Sequence, residues 1–325
     1  MAAVNWWIFA LQIAAVALTP FAMAAQMAFH NHESRMHWLR TAVFTIAITA
    51  MLWVLPIWHV VGPWLRWVQV SAVATGMLYT IGNVPALPWW KDGKLWPQAL
   101  STAGYLGLSV LVLFWGWGVF SAGTMPQEQE PVELNFPLKD GRFYVVAGGS
   151  TENGNRHRKI LETNRADEYR GQAQALDLVQ LNDWGVRARG LYPHDKAEYA
   201  IFGTPVHAPC SGDVVRVRDG LTDYDPPGRD RKNLAGNHVV LECDGAHIAL
   251  AHLKKGSVTV QRGNSVRAGQ QLGEIGNSGN TTEPHLHIHA QTPSENEHFM
   301  GGDPLPMTFG GQYLGPGEVV RVQTN

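Results

Sequence analysis

Apolar positions along this chain follow two regimes. Up to about residue 123 they are nearly continuous, in four runs at roughly 4–28, 41–62, 65–88 and 99–121. Each run is close to the ~20 residues that a helix needs to cross a ~30 Å hydrocarbon core. The pattern therefore predicts an all-α membrane region, residues 1–123, with four transmembrane helices. The third run is the weakest, interrupted by Gln69, Asn83, Pro85 and Pro88. Pro20 and Pro56 are tolerable inside membrane helices. No Lys or Arg precedes the first run, so it lacks the charged start of a cleaved signal peptide and is expected to be retained.

Beyond an acidic, Pro-containing stretch expected to act as a linker, 124–140, short apolar runs alternate with turn residues. "FYVVAGG", "ALDLVQL", "TPVHAPCSGDVVRVR", "NHVVLEC", "HIALAHL", "SVTVQRG", "QQLGEIG", "HLHIHAQ" and "EVVRVQ" read as strands separated by Gly, Asn, Asp and Pro. A mainly-β domain over 141–325 is expected. Residues 151–172 read as loop or marginal helix, and 219–236 as a long exposed hairpin loop.

Charge sharpens this division. After residue 123 lie 20 of the 25 basic and 25 of the 27 acidic side chains, a net of −5. A mildly acidic domain lacks the basic footprint that nucleic acid requires. In the apolar part, Arg35 and Arg40 mark the first loop and Lys91 and Lys94 the third, whereas the second has only Arg66. The positive-inside rule then places loops one and three in the cytoplasm and the β-rich domain outside. "MPQEQEPVE", after the fourth run, carries only acidic charge, in keeping with that side. Trp6, Trp7, Trp38, Trp64, Trp67, Trp89, Trp90 and Trp96 gather near run ends, as interfacial aromatics do. His30, His32, His37 and His59 read as interfacial polar residues. No ionisable residue inside a span suggests a transport pathway. The localisation expected is a cytoplasmic membrane, multi-pass, with the bilayer held through the N-terminal helices.

"PHLHIHA" places His285, His287 and His289 at alternate positions, so on a strand the three rings share one face. His252 closes "IALAHL" about thirty residues earlier. The ordered elements "GTPVHAPCSGDVV", "AHL", "VRAGQQLGEIGNSG" and "PHLH", over roughly 200–292, resemble lysostaphin-type (LytM-like) zinc metallopeptidases of bacterial cell walls. The resemblance leaves the N-terminal region unexplained. It implies one zinc ion held by a His, an Asp and the second His of HxH. His287 matches that metal ligand, while His252 and His285 match the two catalytic positions that line the reacting water. The chemistry is coherent: a catalytic zinc takes three protein ligands and keeps one open position. His289 has no transferable role and is expected to be a supporting or surface residue.

The remaining ligands stay open at this level. The family's HxxxD before the GTPV element is absent. His157 of "GNRHRKI" with Asp177 of "QALDLVQL" is one pair. His194 and Glu198 of "YPHDKAEYA", an HxxxE at the usual spacing, is the other. An unpartnered carboxylate in an apolar strand is costly, and a metal would explain Asp177, so His157 and Asp177 are preferred. Cys210 and Cys243 flank two strands of one expected hairpin; in an oxidising compartment a disulfide is allowed.

By the same resemblance the function expected is a membrane-anchored zinc metalloendopeptidase acting on peptidoglycan peptides. The alternative is an inactive LytM-like domain that regulates other wall hydrolases. A lipoyl- or biotinyl-carrier domain shares the "V.AP..G.V" pattern but needs a hairpin-tip lysine that this chain lacks.

Overall fold

The computed structural model describes residues 6–91, 95–126, 129–294 and 298–323. The start of the first apolar run, Asp92 and Lys94 of the third loop and Glu128 of the acidic segment lie outside the described residues. The chain divides into two compact units, Met1–Val119 and Phe120–Asn325.

The first unit is built from four helices: α1 (Trp6–Phe29), α2 (Arg35–Val54), α3 (Leu65–Ile81) and α4 (Leu95–Phe120). Among the described residues three segments are long and apolar enough to cross a membrane: Trp7–Phe29, Arg35–Val54 and Leu95–Gly123. The third helix has 17 residues, about 25 Å at 1.5 Å per residue, and falls short of the expected span. Gly82, Asn83 and Pro85 end it, because Pro cannot supply the amide that continuation needs. Ser34 caps α2, its hydroxyl accepting from the His37 amide at 3.2 Å.

Gln69, the polar interruption in the third run, has a structural task. Pro20 within α1 has no N–H, which leaves the carbonyl four residues earlier without its helical partner. Gln69 Nε2 donates to that carbonyl, Val16 O, at 3.1 Å and to Ala17 O at 2.9 Å. Close by, α3 meets α1 through Gly76, where a Cβ would lie 2.6 Å from Ala24 O. A small residue at such a crossing lets two backbones approach. Loops one and three meet at one end of the bundle. The Arg35 amide and Nε donate to Pro88 O and Leu87 O, each at 2.8 Å, and Lys91 Nζ lies 2.6 Å from Glu33 Oε1.

The second unit is mainly β. Its strands are β1 (Val132–Leu134), β2 (Gly141–Ala147), β3 (Leu176–Leu181), β4 (Pro205–His207), β5 (Gly212–Arg218), β6 (Asn237–Cys243) and β7 (Ala246–Leu253), followed by β8 (Ser265–Val266), β9 (Gln271–Glu274), β10 (Leu286–Gln291), β11 (Pro304–Leu305), β12 (Met307–Phe309), β13 (Gln312–Tyr313) and β14 (Val319–Val322). The principal sheet is antiparallel and runs β14-β2-β3-β10-β7-β6-β5-β8, with β11 beside β10. On β10, Leu286, Ile288 and Ala290 enter the apolar core with Leu176, Leu178 and Leu250. The alternate positions, including all three histidines, therefore take the other face.

Three expectations are corrected. The segment expected as a linker, 124–140, is partly built into this unit. β1 pairs in parallel with β12, Leu134 and Leu138 are buried in the core, and Phe136 packs edge-on against Phe309. Ala122, still earlier, is fully buried and its carbonyl accepts from the Ser150 amide at 2.9 Å. "SVTVQRG" is irregular rather than a strand. The loop 219–236 is pinned rather than wholly exposed: Asp223 accepts from the Lys255 and Asn277 amides, and Ala235 and Gly236 are buried.

Cys210 and Cys243 form a disulfide across β5 and β6, 33 residues apart in sequence. Closing a loop of that length restricts the unfolded chain and stabilises the fold by about 3–4 kcal/mol. Replacing both cysteines with serine should lower stability by that order in urea unfolding of the disulfide-bonded protein. An unchanged midpoint would show that the covalent link adds nothing to this sheet.

Candidate metal and catalytic centre

Three neighbouring strands bring the polar face of the sheet to one place. Asp177 on β3 lies directly opposite His287 on β10. His287 in turn lies opposite Ala251 on β7, one residue before His252. His252 has φ of 63°, a left-handed conformation uncommon for a residue with a Cβ and a frequent mark of functional positions. His157 arrives from outside the sheet, on the 3-10 turn Arg156–Glu162. Asn155 fastens that turn: its Oδ1 accepts from the His157 amide at 3.1 Å, and its Nδ2 donates to Gly149 O and Ala175 O at 3.1 and 3.0 Å. Since Ala175 immediately precedes β3, one buried side chain sets His157 against Asp177.

Asp177 is 1% exposed. His157 Nε2 lies 3.0 Å from each of its carboxylate oxygens and His287 Nδ1 3.1 Å from Oδ1, while Arg156 donates to Oδ2 at 2.8 Å. Burial alone would raise the Asp177 pKa. The neighbouring imidazoles of His157, His285 and His287, two of them hydrogen-bonded to it, outweigh burial and hold the carboxyl well below its usual range. Asp177 is therefore an anion in a dry place.

His157, Asp177 and His287 each offer one ligand atom, and these atoms lie within 4.8 Å of one another. Two imidazoles and a buried carboxylate suit a catalytic zinc with one position left open. His287 has only Nδ1 available for such a task, because its Nε2 lies 3.0 Å from His289 Nδ1. His289 is buried and touches His287, so it belongs to the support of the site and not to the surface. Supporting bonds of this kind fix the ring and its tautomer.

His285 and His252 stand beside this group, rings 4.8 Å apart. His285 Nδ1 donates to Glu283 O at 2.9 Å and His252 Nδ1 to Ser278 O at 2.8 Å. Each bond puts the ring proton on Nδ1 and leaves Nε2 with its lone pair. Burial lowers both pKa values, so both rings are neutral near pH 7. All five residues line a cleft of about 330 Å³ with Arg156 and Arg229.

His194 and Glu198 are elsewhere. His194 is exposed, with Nδ1 3.1 Å from Pro226 O, and neither residue lines the cleft. Several contributors had no sequence signal. Arg156 looks like any surface cation until its contact with Asp177 is seen. Arg187, 2% exposed, pairs with Glu283 at 2.8 Å and so steadies the carbonyl that holds His285.

Residues 193–299 match the model of a family described as Peptidase family M23. This chain carries an M23 peptidase domain. His252, His285 and His287 fall within the matched residues, whereas His157 and Asp177 precede them. Among curated proteins, a peptidoglycan DD-endopeptidase, ShyB, of Vibrio cholerae is 30% identical over 156 residues, which cover 47% of this chain and 31% of that protein. A glycyl-glycine endopeptidase, ALE-1, of Staphylococcus capitis is 37% identical over 106 residues, covering 32% and 25% respectively. The chain thus spans less than a third of the length of these relatives. A solved structure of the catalytic domain of lysostaphin from Staphylococcus simulans aligns with 26% identity over 34% of this chain and 82% of that one, at a TM-score of 0.24.

The M23 domain's ligand set can be tested directly. Asp177→Asn keeps the shape but loses the charge, and His157→Ala removes a donor; both should abolish stoichiometric zinc in the purified full chain. His194→Ala and Glu198→Gln should retain it. His289→Ala should weaken zinc about 10–100-fold by removing the support of a ligand, read by chelator competition. Zinc lost from the 194 and 198 variants but kept in the 157 and 177 variants would reverse the assignment.

Proposed function

We propose that this protein is a membrane-anchored zinc metalloendopeptidase that hydrolyses peptide bonds in peptidoglycan. The observation that carries the reading is the convergence of His157, Asp177 and His287 on one point with two neutral, pinned imidazoles beside it. Zinc bound there would supply Lewis acidity and lower the pKa of a water toward ~7. The chain's own residues would do the rest. Asp177 would give a divalent cation an anionic oxygen donor, and His157 and His287 would give it nitrogen donors. Nε2 of His285 or His252 accepts the proton of the attacking water and returns it to the leaving amine. The imidazolium so formed faces the oxyanion developing on the carbonyl. A complete set of these groups supports an enzyme over a binding module, which would have no use for two imidazoles pinned with their Nε2 atoms toward the cleft. The names of the relatives, a peptidoglycan DD-endopeptidase and a glycyl-glycine endopeptidase, support the wall as substrate.

His252→Ala and His285→Ala should keep near-normal zinc and lose about 10²–10⁴ in rate, measured as release of soluble peptides from purified sacculi and identified by mass. Turnover close to that of the unaltered protein in either variant would remove that residue from the mechanism. Sacculi left intact by a zinc-loaded unaltered protein would instead favour the regulatory, inactive domain.

For topology we propose four membrane passages with both ends of the helical unit outside. The meeting of loops one and three at one end of the bundle, through Arg35, Lys91 and Glu33, supports α3 returning across the membrane despite its length. A reporter active only outside the cytoplasm, fused after residue 130, should be active. Activity of a cytoplasmic reporter there would overturn the topology and the access to wall peptides.

A further inference from the structure

A second hollow of about 160 Å³ shares the walls Leu234, Ala235 and Met300 with the metal-site cleft. Its other walls carry Arg216, Arg218 and Lys232. Arg218 sits opposite His238 in the β5–β6 register. Among the described residues none of these three cations takes part in an ion pair. Glu168, also in the wall, is engaged by Arg165 at 3.2 Å. Arg216 lies over the Phe299 ring, 4.7 Å from its centre, and the same ring stacks on His238 at 4.5 Å. Burial, and then the neighbouring charges of Arg218 and Arg262, push the Arg216 pKa down. Lys232 has Asp230 beside it, whereas the Arg216 and Arg218 guanidinium groups repel each other with no carboxylate among the described residues paired to either.

His238 adds an independent observation. It is 3% exposed, and its Nδ1 donates to Gly236 O at 2.9 Å. Its Nε2 is buried with no hydrogen-bond partner, in the wall of this same hollow. A buried, unsatisfied acceptor is costly. A peptide supplies what both features lack: a carboxylate for the guanidinium groups and an N–H for the imidazole lone pair.

We infer that the hollow lined by Arg216, Arg218, Lys232 and His238 is a specificity subsite that takes a free carboxylate of the substrate peptide while the scissile bond lies in the adjoining cleft. The inference rests on the endopeptidase reading for its choice of ligand but not for its measurement. Arginine suits this role because its planar fork pairs with a carboxylate through two parallel bonds. The subsite would distinguish peptides whose carboxylates are free from those whose carboxylates are amidated, a difference of charge with almost none of shape.

The test uses the full chain in detergent, carrying His285→Ala to stop turnover. Two probes are compared: a synthetic cross-linked stem peptide with all its carboxylates free, and the same peptide with all of them amidated. The acid should bind about 10–100-fold more tightly, the range for losing charge-assisted bonds, and its advantage should shrink with added salt. Arg216→Gln with Arg218→Gln should abolish the preference by weakening the acid alone. Arg321→Gln, on β14 at the other edge of the sheet, should leave it intact. Equal binding of the two probes, or a preference that survives the double substitution, overturns the inference. So does displacement of both probes alike by inorganic phosphate, which would reassign the hollow to a phosphate polymer. Preference for the acid in binding, together with intact sacculi in the hydrolysis assay, would sink the endopeptidase reading and leave the subsite standing. Hydrolysis without the preference would do the reverse.

Discussion

An ionised carboxylate held out of water is the constraint around which the β-rich unit is arranged. Asp177 sits in a strand whose neighbours Leu176 and Leu178 are core residues, where a lone anion would be expensive. It is tolerable because His157, His287 and Arg156 reach it from two other elements. Those contacts join β3, β10 and the turn at 156–162 around one atom group. Two of the groups that satisfy the anion, His157 and His287, are also those a metal would bind, so folding stability and site assembly draw on the same residues.

Much of this was legible in the sequence because a strand has a period of two. "HLHIHAQ" alternates between core and polar face, which put His285 and His287 on one side of the sheet, and the cost of an unpartnered carboxylate in an apolar strand singled out Asp177. His252 followed from the resemblance of its "AHL" element to the family pattern. What stayed hidden was whatever depends on contacts between distant segments. His157 finds Asp177 only because Asn155 is bonded to Gly149 and Ala175. His289 looked dispensable because nothing local shows that its ring meets His287. The stretch before residue 140 reads as a tether by its acidic and proline content, yet Leu134 and Leu138 are core residues, and two such positions are too few to outweigh composition.

The helical unit shows the same limit in another form. Gln69 reads as a flaw in an apolar run, although it answers an exposed carbonyl created by Pro20 in a different helix. A polar residue in a membrane-type helix is best judged against the backbone of its neighbours, where the unsatisfied group is to be found.

The alternation in β10 has a further consequence for how this site can vary. Because Ile288 faces the core and His287 and His289 the opposite side of the sheet, inserting or deleting one residue within the strand would exchange the two sets. Histidines would enter the apolar layer, and leucine and isoleucine would occupy the reacting face. Lineages carrying such a strand can therefore alter its chemistry by substitution but hardly by change of length. Length must vary in the segments that arrive from outside the sheet, such as those bearing His157 and Arg229. The nineteen positions between His157 and Asp177 are an instance: two groups that converge on one point are encoded far apart, and the span between them can change length only outside its fixed residues, such as Gly171 and Ala175.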